Sequence, residues 1–515
     1  MARPAPDPDD ARRHAWRIAA LVFWVFTAAA YLGFRLTTLN GAAPVYSSVF
    51  FAAEIFIAIS LSLFVFSTWR FPKRDSQAPE PDQTVDVFIA TYNEPLDLVR
   101  KTAAAAREMD YPHETWLLDD GNRPACKALA GELGCRYIAR QENTHAKAGN
   151  LNNALAASKA DFVVTLDADH APHKSLIAST LGYFRDERVA FVQTPQAFDN
   201  TGSFLHLNVG PGTDRWNEQT LWFHAIERGR DHWNAVAYCD SPAVFRRKAL
   251  DDIGGFATGT ITEDTHTSIR AHKRGWSAVY HPEVLAEGLA PDTPAAFFTQ
   301  RLRWGRGQMH VWRLEPILRA KNLSWSQRLC YLASATHYFA GLQYIVLALA
   351  PAIGLFAGVV PFAADARILF PLFALNLIAG ALTFSLFSRG HGRFLAGEHF
   401  NAVLTAPYVL ALSALIAPAR RFIVTPKEAE GRFALWPIAW PLALALLNTL
   451  AFANGAARLA SGFPVSDSSG TTLALMFWSI WIATFSGSVV AKAWSQHATR
   501  HHSSRHPNRL QANRS

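Results

Sequence analysis

The stretch Asp161-Phe162-Val163-Val164-Thr165-Leu166-Asp167-Ala168-Asp169-His170 decides how the middle of this chain is read. From Phe162 to Leu166 the residues are apolar or β-branched without alternation, the pattern of a strand covered on both faces. Two carboxylates follow where that strand must stop. Acids on such a turn can hold Mg²⁺ or Mn²⁺, hard cations that take oxygen ligands and substrate phosphates. The spacing alone also arises by chance, as in Asp7-Pro8-Asp9, so its place at a strand end matters more.

Working outward, Val85–Ala90 reads as a strand, Leu96–Met109 as an Ala-rich helix and Trp116–Leu118 as a second strand. Lys127–Leu133 and Ala148–Ser158 read as further helices. This alternation predicts a mostly parallel sheet with helices on both faces across about residues 83–322. Sites in such sheets lie beyond the C-terminal strand ends, and the polar motifs fall there. Asp119-Asp120-Gly121 either accepts hydrogen bonds from a base or ribose, or is an ordinary Asp-Gly turn. Lys147, ahead of a helix, suits a phosphate or simply faces solvent. Thr262-Glu263-Asp264 supplies a general base, caps a helix, or does both. In Gln300-Arg301-Leu302-Arg303-Trp304, Arg303 can neutralise a diphosphate and Trp304 can lie against a sugar ring. Both are equally at home as anchors at a membrane surface.

The flanks are of another kind. Half of the 515 residues are hydrophobic and only 17% are charged, against about 25% in soluble proteins. Two apolar runs precede the polar middle, Ile18–Phe34 and Val45–Trp69, and four follow, Leu332–Val359, Ile368–Leu386, Trp436–Phe452 and Thr472–Val490. Each approaches the length that crosses a bilayer. The first run follows arginines, as a signal peptide does, but a second span succeeds it at once, so a retained helix is expected. Glu54 inside the second run is either functional or hydrogen-bonded within the bundle. Arg12, Arg13, Arg17, Arg70, Lys73, Arg74, Arg420, Arg421, Lys427 and the tail fall on one side. The positive-inside rule then places both termini and the middle domain in the cytoplasm, in a multi-pass protein of the inner (plasma) membrane. The net charge of +8 collects at these flanks, so the expected partner is the lipid bilayer and no nucleic acid. Cys126, Cys135, Cys239 and Cys330 lack a C-x-x-C spacing, and neither disulfide nor zinc site is expected.

The expected layout is an N-terminal segment with two spans (1–75), the α/β domain (83–322), an interface helix with two spans (323–388), an interfacial helix and loop (389–432), two spans (433–493) and a basic tail (494–515). The 389–432 segment is amphipathic and too polar to span.

Taken in order, Thr91-Tyr92-Asn93-Glu94, Asp119-Asp120-Gly121, Lys147-Ala148-Gly149-Asn150, Asp167-Ala168-Asp169, Thr262-Glu263-Asp264 and Gln300-x-x-Arg303-Trp304 resemble the processive glycosyltransferases of family 2. Within that family the chain is most similar to bacterial cellulose synthase catalytic subunits, over about Thr84–Lys427. The resemblance implies a GT-A-type α/β domain joined to a helical transmembrane bundle. It implies that Thr91, Tyr92, Glu94, Asp119 and Asp120 hold the nucleotide, with Tyr92 and Asp119 at the uracil end. Lys147 and Arg303 would meet the diphosphate, and Asp167, Asp169 and His170 a divalent cation. Asp264 would be the general base, while Trp304, Gln300, Cys239 and Asp240 would lie at the acceptor. Phe422-Ile423-Val424-Thr425-Pro426-Lys427 resembles the family's gating loop, which implicates Phe422, Val424, Thr425 and Lys427.

The implied reaction is a single displacement with inversion at the anomeric carbon of an α-linked UDP-sugar, lengthening a polysaccharide acceptor by a β-linkage. UDP-glucose and a β-glucan, either cellulose or a related β-1,4 or β-1,3 polymer, are expected. The alternatives are an N-acetylglucosamine, mannose or hyaluronan-type polymer, a lipid-glycosylating transferase, or a transporter with a regulatory domain. The chain departs from the family at Cys239-Asp240-Ser241-Pro242, where cellulose synthases carry a Cys-Gly-Thr/Ser type segment. No PilZ domain is expected after the last span, and a periplasmic partner subunit is left open.

Overall fold

β1 (Val85–Thr91) lies between β2 (Glu114–Asp119) and β4 (Phe162–Asp167), parallel to both, so the acidic strand is central. The computed structural model describes residues 8–206, 216–417 and 434–505. With β3 (Arg136–Ala139), β6 (Val189–Gln193), β8 (Ala243–Arg246) and β9 (Ser277–Tyr280), these strands form a seven-stranded sheet in the order β3-β2-β1-β4-β8-β6-β9. The expected parallel sheet holds with one exception. β8 runs antiparallel between β4 and β6, making the sheet mixed. A small second sheet, β5 (Ala171–Pro172), β10 (Ala286–Gly288) and β7 (Ala197–Phe198), sits next to the acidic turn.

Both faces of the large sheet are covered, which is why its central strands read as unbroken apolar runs. Val87, Ile89, Val164 and Leu166 pack one way with Val99, Ala103 and Leu129. Phe88, Val163 and Phe245 pack the other way with Leu151, Leu155 and Phe256. At about 25 cal/mol per Å² of apolar surface, this two-sided burial holds the strand ends in fixed register.

Among the described residues, six helices are long and apolar enough to cross a membrane: Arg12–Thr37, Pro44–Ser67, Trp325–Ala357, Ala366–Ser388, Trp436–Ala460 and Ser469–Ala498. The third starts earlier than the apolar run suggests because a capping box, Ser324 with Gln327, begins it outside the run. A shorter helix, Phe394–Ala411, occupies the segment read as interfacial and packs on the Pro294–Leu314 helix. Glu54 is hydrogen-bonded within the bundle: Arg35 Nε donates to its carboxylate at 3.1 Å and the Tyr31 hydroxyl donates as well.

Contacts from the second span and from the segment that follows it tie the α/β domain to the bundle. Trp233 stacks on Phe66 with ring centroids 4.5 Å apart and donates from Nε1 to the Phe66 carbonyl at 2.9 Å. Arg74 donates to both oxygens of the buried Asp231, at 2.7 and 2.9 Å.

Candidate active site

The strand ends converge as their parallel register requires. At the end of β1, Glu94 folds back so that its Oε2 accepts from the Tyr92 N–H at 2.7 Å and from the Thr91 hydroxyl at 2.8 Å. Asp119, at the end of β2, is fully buried. It accepts from the backbone N–H groups of Gly121 (3.1 Å) and Arg123 (2.7 Å), from Arg123 Nε (3.1 Å) and from the Tyr137 hydroxyl (3.1 Å). Arg123 in turn donates to Thr91 Oγ1 and the Glu94 carbonyl, both at 2.7 Å, locking the two strand ends together. Asp120 pairs with Arg140, at 2.5 and 2.7 Å. Asp119 and Asp120 therefore shape the turn as well as carrying charge.

At the end of β4, Lys147 donates to both Asp167 and Asp240. The Thr102 hydroxyl fixes the acidic turn by donating to the Ala168 carbonyl at 2.8 Å. Asp167, Asp169 and His170 each offer a ligand atom, all within 4.8 Å of one another, and the latter two are buried. Two carboxylates and an imidazole suit Mn²⁺ and accommodate Mg²⁺. The small sheet makes room for the imidazole: a Cβ on Gly288 would lie 2.6 Å from the His170 ring. The arrangement fits a divalent cation.

Glu263 and Asp264 open the Glu263–Lys273 helix. The Thr262 side chain makes no cap hydrogen bond, and Asp264 Oδ1 instead accepts from the Thr265 N–H at 2.7 Å. Burial, and next the neighbouring Asp240 carboxylate, push Asp264 up to about 7. Glu263 goes up to about 8 for the same two reasons, burial first. Asp167 moves the opposite way, below the ordinary range, because Lys147 and His170 outweigh the burial that opposes them.

The Pro294–Leu314 helix brings the Gln300–Trp304 motif against this loop. Its approach is close: a Cβ on Gly307 would lie 2.3 Å from the Thr262 side chain, and one on Gly305 2.6 Å from Ala411. Arg301 is sandwiched between Phe297 and Trp304, 4.6 and 4.3 Å from their ring centroids, and donates to Glu218 at 2.5 Å. Gln300, expected at the acceptor, turns its carbonyl to Arg301 at 2.6 Å. Burial lowers the proton affinity of Arg303, and the negative charges of Asp240, Glu263, Asp167 and Asp264 act against that. Cys239 accepts from Trp222 Nε1 at 3.4 Å.

Cys239, Asp240, Asp264 and Trp304 line one cavity of about 930 Å³. Its lining continues along the membrane helices through Tyr344, Trp481 and Trp478 to Thr471, Pro361 and Phe362. Thr471 begins the last span, and the other two lie in the connection between the third and fourth. The lining of this cavity thus includes both the carboxylates and residues near the far ends of the spans. Sequence reasoning missed Arg123, Arg140, Glu218 and Arg301. Only the Asp119–Arg123 spacing of four carried a visible signal. The expected gating-loop residues Phe422, Val424, Thr425 and Lys427 lie outside the described residues.

Residues 81–307 match the family described as glycosyltransferase like family 2, and residues 251–387 the family described as cellulose synthase. The chain is 35% identical over 508 residues to the UDP-forming cellulose synthase catalytic subunit of Pseudomonas fluorescens, covering 94% of this chain and 68% of that protein. It is 34% identical to cellulose synthase 1 of Komagataeibacter xylinus over 80% of this chain and 27% of that longer protein. It is 38% identical to the cellulose synthase 1 catalytic subunit of the same organism over 59% of this chain and 42% of that one. It therefore spans less than half the length of each of these two Komagataeibacter relatives. Among solved structures, a mannosyltransferase from Pyrobaculum calidifontis, in complex with GDP-mannose and Mn²⁺, superposes with a TM-score of 0.50 at 18% identity, over 72% of this chain and 99% of that one. That likeness is one of fold.

Proposed function

This chain belongs to the cellulose synthase family of family 2 glycosyltransferases, and from that membership we propose that it polymerises glucose from UDP-glucose into a β-glucan and passes the polymer across the membrane. The observation that carries this reading is the single cavity lined by Asp264 and Trp304 at one end and by Thr471, Pro361 and Phe362 at the other. A transferase that adds one sugar to a lipid has no need of such a passage.

Tyr92 and the turn held by Asp119 form the uracil end, and Thr91, Glu94 and Asp120 fix its walls. Lys147 and Arg303 take the diphosphate, as charge-assisted donors do. Asp167, Asp169 and His170 would hold Mg²⁺ or Mn²⁺, which when bound would supply charge neutralisation for the leaving UDP. Asp264 accepts the proton from the acceptor hydroxyl as that oxygen attacks the anomeric carbon. Proton affinity near neutrality suits a base at cellular pH. The bond to the UDP oxygen breaks as the β-glycosidic bond forms. Trp304 lies against the terminal sugar of the acceptor, and Arg301, stacked on the same indole, keeps the ring in place. Cys239 lines the same acceptor end. The enzyme is a multi-pass inner-membrane protein with its α/β domain and both termini in the cytoplasm, on the side where basic residues collect.

The test is incubation of the purified full-length protein with UDP-glucose, UDP-N-acetylglucosamine or GDP-mannose and Mg²⁺ or Mn²⁺, followed by linkage analysis. A β-linked glucan from UDP-glucose is expected. Single additions to lipid without polymer from any donor would contradict the proposal.

A further inference from the structure

Asp240 is the carboxylate that the reaction just described leaves without a task. It lines the cavity together with Asp264 and Trp304, and it shares the Lys147 ammonium with Asp167. Its position is fixed by the backbone around it. The Cys239 N–H donates to Gln193 Oε1 at 2.9 Å, the Cys239 carbonyl accepts from Gln196 Nε2 at 3.0 Å, and β8 starts three residues later at Ala243. Asp240 itself has φ 68°, in the left-handed region that glycine adopts without strain. An aspartate there bears a conformational cost that its side chain must offset.

Lys147 has three N–H donors, and Asp167 and Asp240 already take its charge. A nucleotide diphosphate can take the third donor, but its charge then competes with both carboxylates for the one ammonium. Asp167 keeps His170 beside it, at 3.6 Å, and belongs to the group that fits a cation. Asp240 is the partner that loses. A carboxylate facing a partly buried cavity then needs other donors. The transferred sugar, held between the diphosphate at Lys147 and the base at Asp264, brings hydroxyl groups to that place.

We propose that Asp240 is a specificity-determining residue for the donor sugar: it competes with the diphosphate for Lys147, then accepts hydroxyl hydrogen bonds from the transferred hexose and repels a hexose that carries a carboxylate. This rests on the assignment of the chain as a UDP-glucose transferase and extends it. Asp240 shares Lys147 with Asp167 and lines the cavity with Asp264, so a further carboxylate from a sugar enters beside carboxylates already in place. A neutral hexose with free hydroxyls meets no such penalty.

The experiment compares the full-length protein with Asp240→Gly and Asp240→Asn. Glycine suits the left-handed backbone, and asparagine preserves the shape, so a fold defect in one does not remove the test. Binding of UDP and of UDP-glucose is measured with Mn²⁺, together with inhibition of polymerisation by UDP-glucuronate. In Asp240→Gly, UDP is expected to bind severalfold more tightly. The extra affinity of UDP-glucose over UDP should fall on the order of tenfold, as loss of charged hydrogen bonds implies, and UDP-glucuronate should become an effective inhibitor. Asp240→Asn is expected to admit UDP-glucuronate while keeping part of the glucose preference, because its carbonyl still accepts. Unchanged UDP affinity and an unchanged UDP-glucose to UDP ratio in both variants would overturn the proposal. Those binding measurements need no turnover, so they stand apart from the test of polymer formation.

Discussion

The Arg301 guanidinium lies over the Trp304 ring, 4.3 Å from its centroid, beside the residue proposed to receive the acceptor sugar. Phe297 at 4.6 Å, Glu218 at 2.5 Å and the Gln300 side-chain carbonyl at 2.6 Å hold it from the other sides. Arg301→Lys keeps the charge but loses the planar surface. The cation–π contact is worth about 0.5–2 kcal/mol. The expected result is a fall in kcat of about threefold to thirtyfold, with UDP affinity unchanged. Equal loss of UDP binding would show that Arg301 serves the donor instead.

Asp264 is pushed up to about 7, chiefly by burial and then by Asp240. A base works only when deprotonated, so the rate should climb with pH, by up to tenfold per unit below about pH 7, and level off above it. Asp264→Asn should abolish synthesis and leave UDP binding nearly intact. Initial rates at saturating UDP-glucose from about pH 5.5 to about pH 8.5 give the check. A profile that is flat through neutrality contradicts the assignment of the base.

The approach of Gly307 to Thr262 sets where Asp264 sits. A Cβ at 307 would lie 2.3 Å from Thr262 Cγ2 and 2.6 Å from its Oγ1. Gly307→Ala must push the Pro294–Leu314 helix or the Thr262 loop aside. A misplacement of about 1 Å at a reaction centre costs on the order of 100-fold in rate. Activity should fall by that order while bound UDP is retained, measured by turnover and nucleotide titration in parallel.

Asp119 answers four donors from a fully buried position. Asp119→Ala would leave Arg123 Nε and the Tyr137 hydroxyl without their acceptor. Breaking such a pair costs about 3–5 kcal/mol. A lowered thermal unfolding midpoint is expected together with weaker UDP binding. Loss of UDP binding at unchanged stability would show that Asp119 contacts the nucleotide and does not hold the turn.

The central strands were legible in the sequence because burial on both faces writes an unbroken apolar run, as in Phe162–Leu166. β8 was not. Ala243–Arg246 is four residues long, and its partners β4 and β6 are both distant in sequence. The order of motifs along the chain singles out Asp167, Asp169, Asp264 and Trp304 as candidates, yet the sequence does not say which cation each acid meets. Arg140, twenty residues from Asp120, becomes its partner only once β2 and β3 pair. Gln300 shows the reverse case: its motif points to the acceptor, while its neighbour Arg301 captures the side chain. The third span begins at Trp325, ahead of the apolar run, because Ser324 and Gln327 cap a helix that emerges from the apolar layer.

The most direct measurement places the purified protein in sealed liposomes, adds UDP-glucose with Mn²⁺ outside, and then adds a β-glucanase outside. Molecules with the α/β domain outward should deliver polymer into the lumen, so β-glucan that survives the external glucanase until detergent is added is the predicted result. Polymer that is wholly digested without detergent, or glucose found only on lipid, would contradict the account.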